Sequence, residues 1–149
     1  MTSGAGRAAR VRALGADEVI DRTRERIAAR VLTLTGRRGA NVVFEHVGEA
    51  TWEESVRAAA FGGRIVTCGA TTGAQARTDL RYVFSRQLSI LGVTLGTRSE
   101  LERVFALVAG GSLRPVIDRV LPLEDCRLAH EILERGEAFG KVVLRPDVA

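Results

Sequence analysis

The sequence is short of lysine, cysteine, proline and aromatic residues, and each shortage narrows what the chain can do. Lys141 is the only lysine among 22 basic residues, so the rest are arginines. They alternate with 18 acidic residues along the whole chain instead of forming one block, which argues against a nucleic-acid footprint despite a net charge of +4. Cys68 and Cys126 lie far apart with no CxxC pair, so neither a zinc site nor a disulfide framework is signalled. A reducing, cytoplasmic setting is expected. No apolar run approaches the roughly 18 to 20 residues a membrane span needs, and no hydrophobic signal region opens the chain. Three prolines, 46% hydrophobic and 27% charged residues are the composition of a soluble globular protein and exclude a disordered one.

What is present is a regular alternation of helical and strand-like segments, the pattern of parallel β-α units in an α/β, doubly wound sheet. Residues 6 to 14 read as a helix with Ala8, Val11 and Leu14 on one face, stopped by Gly15, and Glu18 to Asp21 as a short strand. Thr23 is placed to cap a second helix that buries Ile27, Val31 and Leu34 and ends at Gly36. The consecutive Val42, Val43 and Phe44 mark Asn41 to Val47 as a strand buried on both faces. Thr51 with Glu54 reads as a capping box for a helix carrying Trp52, Val56 and Ala59, which ends at Gly62-Gly63 before the strand Arg64 to Cys68. A loop to Arg77, a short helix with Leu80, Val83 and Phe84, and the strand Ser89 to Leu95 follow. Ser99 with Glu102 reads as a second capping box, for a helix with Leu101, Val104, Phe105 and Val108. Beyond Gly110-Gly111 come a strand at Val116 to Val120, a helix from about Leu123 to Arg135 and a strand Lys141 to Leu144. This divides the chain into residues 1–111 and a tail, 112–149, too small to bury a core alone.

Ligands of open parallel sheets bind beyond the carboxyl ends of the strands. That selects His46, Val47 and Gly48, then Cys68, Gly69, Ala70 and Thr71, then Val93 to Thr97. Gly4, Gly6 and Ala9 spell GxGxxA with Asp21 near the distance of a ribose-binding acid, but such a cradle has to follow a strand directly and only Met1 to Ser3 precede it. His46 beside Glu45 does not form a general-base dyad, because neighbours on a strand point to opposite faces. Cys68 in its apolar strand reads as a small buried hydrophobe, and Cys126 with His130 as helix packing.

Three segments carry a resemblance: Leu14-Gly15-Ala16-Asp17-Glu18-Val19-Ile20-Asp21, Asn41-Val42-Val43-Phe44-Glu45-His46-Val47-Gly48 and Gly62-Gly63-Arg64-Ile65-Val66-Thr67-Cys68-Gly69. Each resembles the medium-chain dehydrogenase/reductase family of zinc-type alcohol dehydrogenases and quinone oxidoreductases. Ala129-His130-Glu131-Ile132-Leu133 and Phe139-Gly140-Lys141-Val142-Val143-Leu144 are similar to that family's C-terminal return into its catalytic domain. The resemblance implies an incomplete Rossmann-type dinucleotide-binding domain whose phosphate cradle lies upstream of Met1, and it makes the Gly4-Gly6-Ala9 spacing a coincidence.

By the same resemblance Thr2, Ser3 and Arg7 hold the adenosine ribose and Arg22 flanks the adenine. His46, Val47, Gly48, Cys68, Gly69, Ala70, Val93 and Leu95 line the nicotinamide, mostly through backbone, and Lys141 reaches the pyrophosphate. The acid of NAD-preferring members has no counterpart, and Arg7 with Arg22 favours NADP over NAD. Catalytic and zinc residues belong to a catalytic domain that is absent. The family's strand order leaves the strand Asn41 to Val47 as an apolar edge. Expected partners are a complementing catalytic-domain chain or a second copy pairing through 89–95, with neither nucleic acid nor membrane. The leading expectation is a fragment of an NAD(P)H-dependent oxidoreductase, inactive alone. A non-catalytic nucleotide-binding or dimerisation module and an S-adenosylmethionine-dependent Rossmann-type enzyme stand as alternatives.

Overall fold

In the computed structural model, residues 5–146 are described. Three strands, β1 (Ala40–Glu45), β2 (Ala59–Thr67) and β3 (Ser89–Gly92), form a parallel sheet in the order β1-β2-β3. Parallel neighbours cannot be joined by a hairpin. The crossovers are helix α3 (Glu49–Ala58) and, after a loop, helix α4 (Leu80–Ser85). In-register pairing sets Val43, Ile65 and Ile90 in one row across the sheet. Ile65 is fully enclosed in that row, packed with Val56, Ala59 and Leu88 and flanked by Val43, Trp52, Tyr82 and Val83.

The neighbouring row, Phe44, Val66 and Leu91, points to the other face. Burial of Asn41 to Val47 on both faces is therefore corrected to one face. Val42 is 55% and Phe44 67% exposed, because α3 and α4 pack on the side of Val43 and Ile65. The strand Glu18 to Asp21 also fails to form. Val19 and Ile20 are buried, but only Asp21 makes an isolated bridge. Burial of apolar side chains fixes the segment without giving it a ladder.

Helix α1 (Ala5–Ala13) carries Gly6 in its first turn; Gly4 lies outside the described residues. Helix α2 (Ile27–Leu34) packs along α3, and its first turn is capped from there. Glu54 accepts from the Ala28 N–H (3.0 Å) and pairs with Arg26 (2.7 Å). Glu54 is thus spent on the adjacent helix. The expected Thr51-Glu54 capping box is replaced by an N-cap at Gly48, with Thr51 turned inward, and Thr23 bonds the Asp21 carboxylate instead of capping α2. Gly62 and Gly63 lie inside β2 as a register shift opposite Ala40 to Val42, so β2 starts earlier than Arg64.

The chain divides into two compact units between Leu95 and Gly96, and α5 (Arg98–Ala109), none of whose residues is buried, falls in the second. Its capping box is formed by Thr97 and Glu100, not Ser99 and Glu102. Both pairs have the required spacing, and the helix starts at Arg98. Strands β4 (Ile117–Pro122) and β5 (Lys141–Arg145) pair in parallel and are joined through α6 (Cys126–Glu134), which buries Ala129 and Ile132. Cys126 and His130 are exposed, so the packing expected of them falls to those two residues. Among the described residues no helix is long and apolar enough to cross a membrane.

Candidate functional site

The polypeptide leaves the carboxyl ends of β1 and β2 in two loops, 46–48 and 68–79, that are sewn together by backbone and threonine bonds. The Val47 carbonyl accepts from both the N–H and the hydroxyl of Thr72, each at 2.8 Å, and the His46 carbonyl accepts from the Thr71 hydroxyl at 3.1 Å. In return the Gly73 carbonyl accepts from the Glu49 N–H (3.0 Å), and the Thr72 hydroxyl accepts from the Ala50 N–H (3.0 Å). Trp52 donates its indole N–H to the Thr78 hydroxyl at 2.7 Å and ties the far end of the loop to α3.

This stitching requires glycine at position 48. Its φ is +92°, and a Cβ there would lie 2.5 Å from the Gly73 carbonyl oxygen and 2.9 Å from the Ala70 Cα. Glycine at 69 has the same effect more mildly, since a Cβ would come within 3.0 Å of the His46 carbonyl oxygen. The result is a recess of about 240 Å³ lined by Gly48, Trp52, Thr67, Gly69, Ala70, Gly73, Ala74, Ala76 and Thr78. Its walls are small side chains and backbone, with one aromatic ring. A recess of this size admits a flat ring, not a whole dinucleotide.

Beneath the loops lies Glu45, 2% exposed. Its carboxylate accepts from the Val47 N–H (2.7 Å), the Gly48 N–H (3.2 Å), the Thr51 hydroxyl (3.0 Å to either oxygen) and the Ser55 hydroxyl. Burial pushes this carboxyl up, but the bonds from Ser55, Val47, Gly48 and Thr51 outweigh it and hold the group below its ordinary value of 4.5. A carboxyl lowered on folding contributes stability that is present above its unfolded value and lost as pH falls through its folded value. Urea melts of the chain should therefore hold a constant midpoint down to about pH 5 and lose it progressively below. Glu54, lowered by Ala28 and Arg26 against its own burial, adds in the same direction. The Glu45→Gln chain should lose less on acidification, and equal losses in both chains would refute the assignment to Glu45.

Of the residues singled out by sequence, the structure brings together Gly48, Gly69 and Ala70 as lining, with His46, Val47 and Cys68 bracing the loops through their backbones. The Val93 N–H donates to the Thr67 carbonyl at 2.9 Å and joins this group. Strand β3 ends at Gly92, short of the expected Leu95, which is 94% exposed. Cys68 lies just beyond β2 and is exposed, correcting its reading as a buried hydrophobe. The His46 side chain is exposed, 6.4 Å from the Phe44 ring, while Glu45 points inward, as strand alternation demands. Arg22 lines a different recess with Glu25, Arg26 and Glu54, Arg7 is half-buried on α1, and Lys141 is exposed at the start of β5 in the second unit. Thr2 and Ser3 lie outside the described residues. Sequence reasoning did not find Glu45, Thr51 and Ser55 as one cluster, nor Thr72 and Trp52 as its cover. Their signal was two polar residues, at 51 and 55, on the inner face of an otherwise amphipathic helix.

The zinc-binding dehydrogenase family model matches residues 14–144. Quinone oxidoreductase 1 of Escherichia coli is 32% identical over 145 residues, covering 89% of this chain and 44% of that protein. Crotonyl-CoA reductase of Streptomyces avermitilis is 31% identical over 148 residues, covering 88% of this chain and 33% of that protein. Among solved structures, an NAD-dependent alcohol dehydrogenase superposes with a TM-score of 0.86 at 41% identity, over 97% of this chain and 42% of that one. A 2-octenoyl-CoA carboxylase reductase in complex with NADP superposes with a TM-score of 0.84 at 31% identity, over 95% and 36%. The chain thus spans less than half the length of these relatives. With the model matched from Leu14 to Leu144, the chain belongs to the zinc-binding dehydrogenases of the medium-chain dehydrogenase/reductase family.

Proposed function

We propose that the protein serves NAD(P)H-dependent hydride transfer by supplying the wall against which the nicotinamide ring lies. The observation that carries this reading is the ring-sized, glycine-walled recess at the carboxyl ends of β1 and β2. A nicotinamide bound there supplies the hydride. The chain's own part is to hold one face of the ring against Gly48, Gly69 and Ala70 and to shield it from water with Ala74, Ala76 and Trp52. Family membership favours this over an S-adenosylmethionine ligand. Arg7 and Arg22 favour NADP, the cofactor named for the 2-octenoyl-CoA relative, although another relative is named NAD-dependent. Among the described residues no three His, Cys, Asp or Glu side chains gather as a metal ligand set. A cytoplasmic setting, a complementing catalytic-domain chain and pairing of a second copy along β3, whose four residues are all exposed, belong to the same proposal.

Trp52 is the only tryptophan and lines the recess, so its emission reports the ring directly. Titration with reduced nicotinamide mononucleotide should give a saturable change with a dissociation constant weaker than about 1 μM, since one ring and one phosphate offer few contacts. AMP should leave Trp52 unchanged, and NADPH should bind more tightly than NADH. No response to the nicotinamide probe, or an equal one to AMP, would sink the reading.

A further inference from the structure

Glu45 is a buried carboxylate that no step of hydride transfer consumes. It sits at the end of β1, and two of its four donors are successive backbone amides, Val47 and Gly48. Turning both N–H groups inward leaves the His46 and Val47 carbonyls facing the second loop, where Thr71 and Thr72 take them. The other two donors, Thr51 and Ser55, are on successive turns of α3 and are themselves buried, so the carboxylate is anchored from the helix that Gly48 caps. No buried side-chain polar atom is left without a partner among the described residues. The negative charge is thus tied on one side to α3 and on the other to the backbone of residues 47 and 48.

We propose that Glu45 is a positioning residue for the nicotinamide recess: through the Val47 and Gly48 amides it sets the wall on which the ring rests, without touching the ring. This rests on the ring-wall reading above. A carboxylate holds two amides more strongly than a neutral acceptor does. Glutamine keeps the size and one oxygen for those amides, while its NH₂ group faces Ser55 and Thr51, whose hydroxyls can turn to accept it. The variant Glu45→Gln should stay folded with a loosened loop.

The test uses the full chain, reduced nicotinamide mononucleotide as the probe, Trp52 emission for binding and amide exchange for the loop. Glu45→Gln should weaken the probe about tenfold, the scale of losing charge from a hydrogen-bond acceptor. Exchange at Val47, Gly48, Thr72 and Gly73 should accelerate by about the same factor, with Ile65 in β2 unchanged. Ser55→Ala, which leaves both amides bound, should cost less than about threefold, and Glu45→Asp should fall between wild type and Gln. A Gln variant that binds like wild type overturns the inference alone. Exchange that accelerates equally at Ile65 also overturns it, by making Glu45 a general stabilising group. A wild-type chain that ignores the probe sinks the ring-wall reading and this inference with it.

Discussion

Replacing Gly48 with valine should destabilise the first unit by about 3–5 kcal/mol, combining a left-handed backbone imposed on a β-branched residue with overpacking against fixed backbone. The neighbours that a Cβ would meet are the Gly73 carbonyl and the Ala70 Cα, neither of which has a rotamer to change. Relief requires parting the two loops. That breaks the bonds of Val47 with Thr72 and of Glu49 with Gly73, so the recess opens along with the fold. Denaturant melts followed by Trp52 emission measure the cost, and loss of the nicotinamide response measures the opening. The contrasting substitution is Gly6→Ala, in α1, where an added Cβ meets nothing within 4 Å. Within a helix it should stabilise by about 0.5–1 kcal/mol and leave nucleotide binding untouched. Should Gly6→Ala abolish binding, the GxGxxA spacing would have to be reinstated as a cradle. A Gly48→Val chain with wild-type stability would show that the two loops are not locked.

The contrast between these glycines marks what the sequence could convey. Apolar runs and helical periodicity placed β1, α3 and α6 to within a few residues and β2 by its second half, because core burial writes itself into spacing. The loop residues Gly48, Gly69 and Ala70 were legible from topology, since ligands of parallel sheets sit beyond strand ends. Glu45 was not. On a strand flanked by apolar residues a lone acid has no spacing signature, and its partners Thr51 and Ser55 come from a helix whose register had to be known first. Thr51 illustrates the error: its spacing to Glu54 fits a capping box, yet tertiary partners claimed both side chains, one for Glu45 and the other for the start of α2. Likewise Thr97-Glu100 and Ser99-Glu102 fit one motif equally well, and only the helix start decides between them. Val19 and Ile20 read as a strand because buried apolar pairs look alike whether or not a ladder forms.

The open face of the sheet leads to the second large effect. Val42, Phe44 and Leu91 lie exposed on it, and β1 ends the sheet with its outer edge unpaired among the described strands. Such an edge templates pairing with other chains, and its apolar side chains add attraction between molecules. This chain on its own should therefore melt below about 60 °C, within or under the ordinary range for small domains, and should aggregate on heating. Substituting Val42→Thr and Phe44→Thr together keeps strand propensity while removing apolar surface. Because both side chains are exposed, the change in stability should stay within about 0.5 kcal/mol per site. Light scattering during a thermal ramp should nevertheless fall several-fold. If the wild-type chain melts reversibly well above 60 °C, or the doubly substituted chain scatters as much as wild type, the open face is not what limits it. If scattering falls and the nicotinamide response persists, the face is separable from the recess, as the opposite orientation of Phe44 and Glu45 along β1 requires.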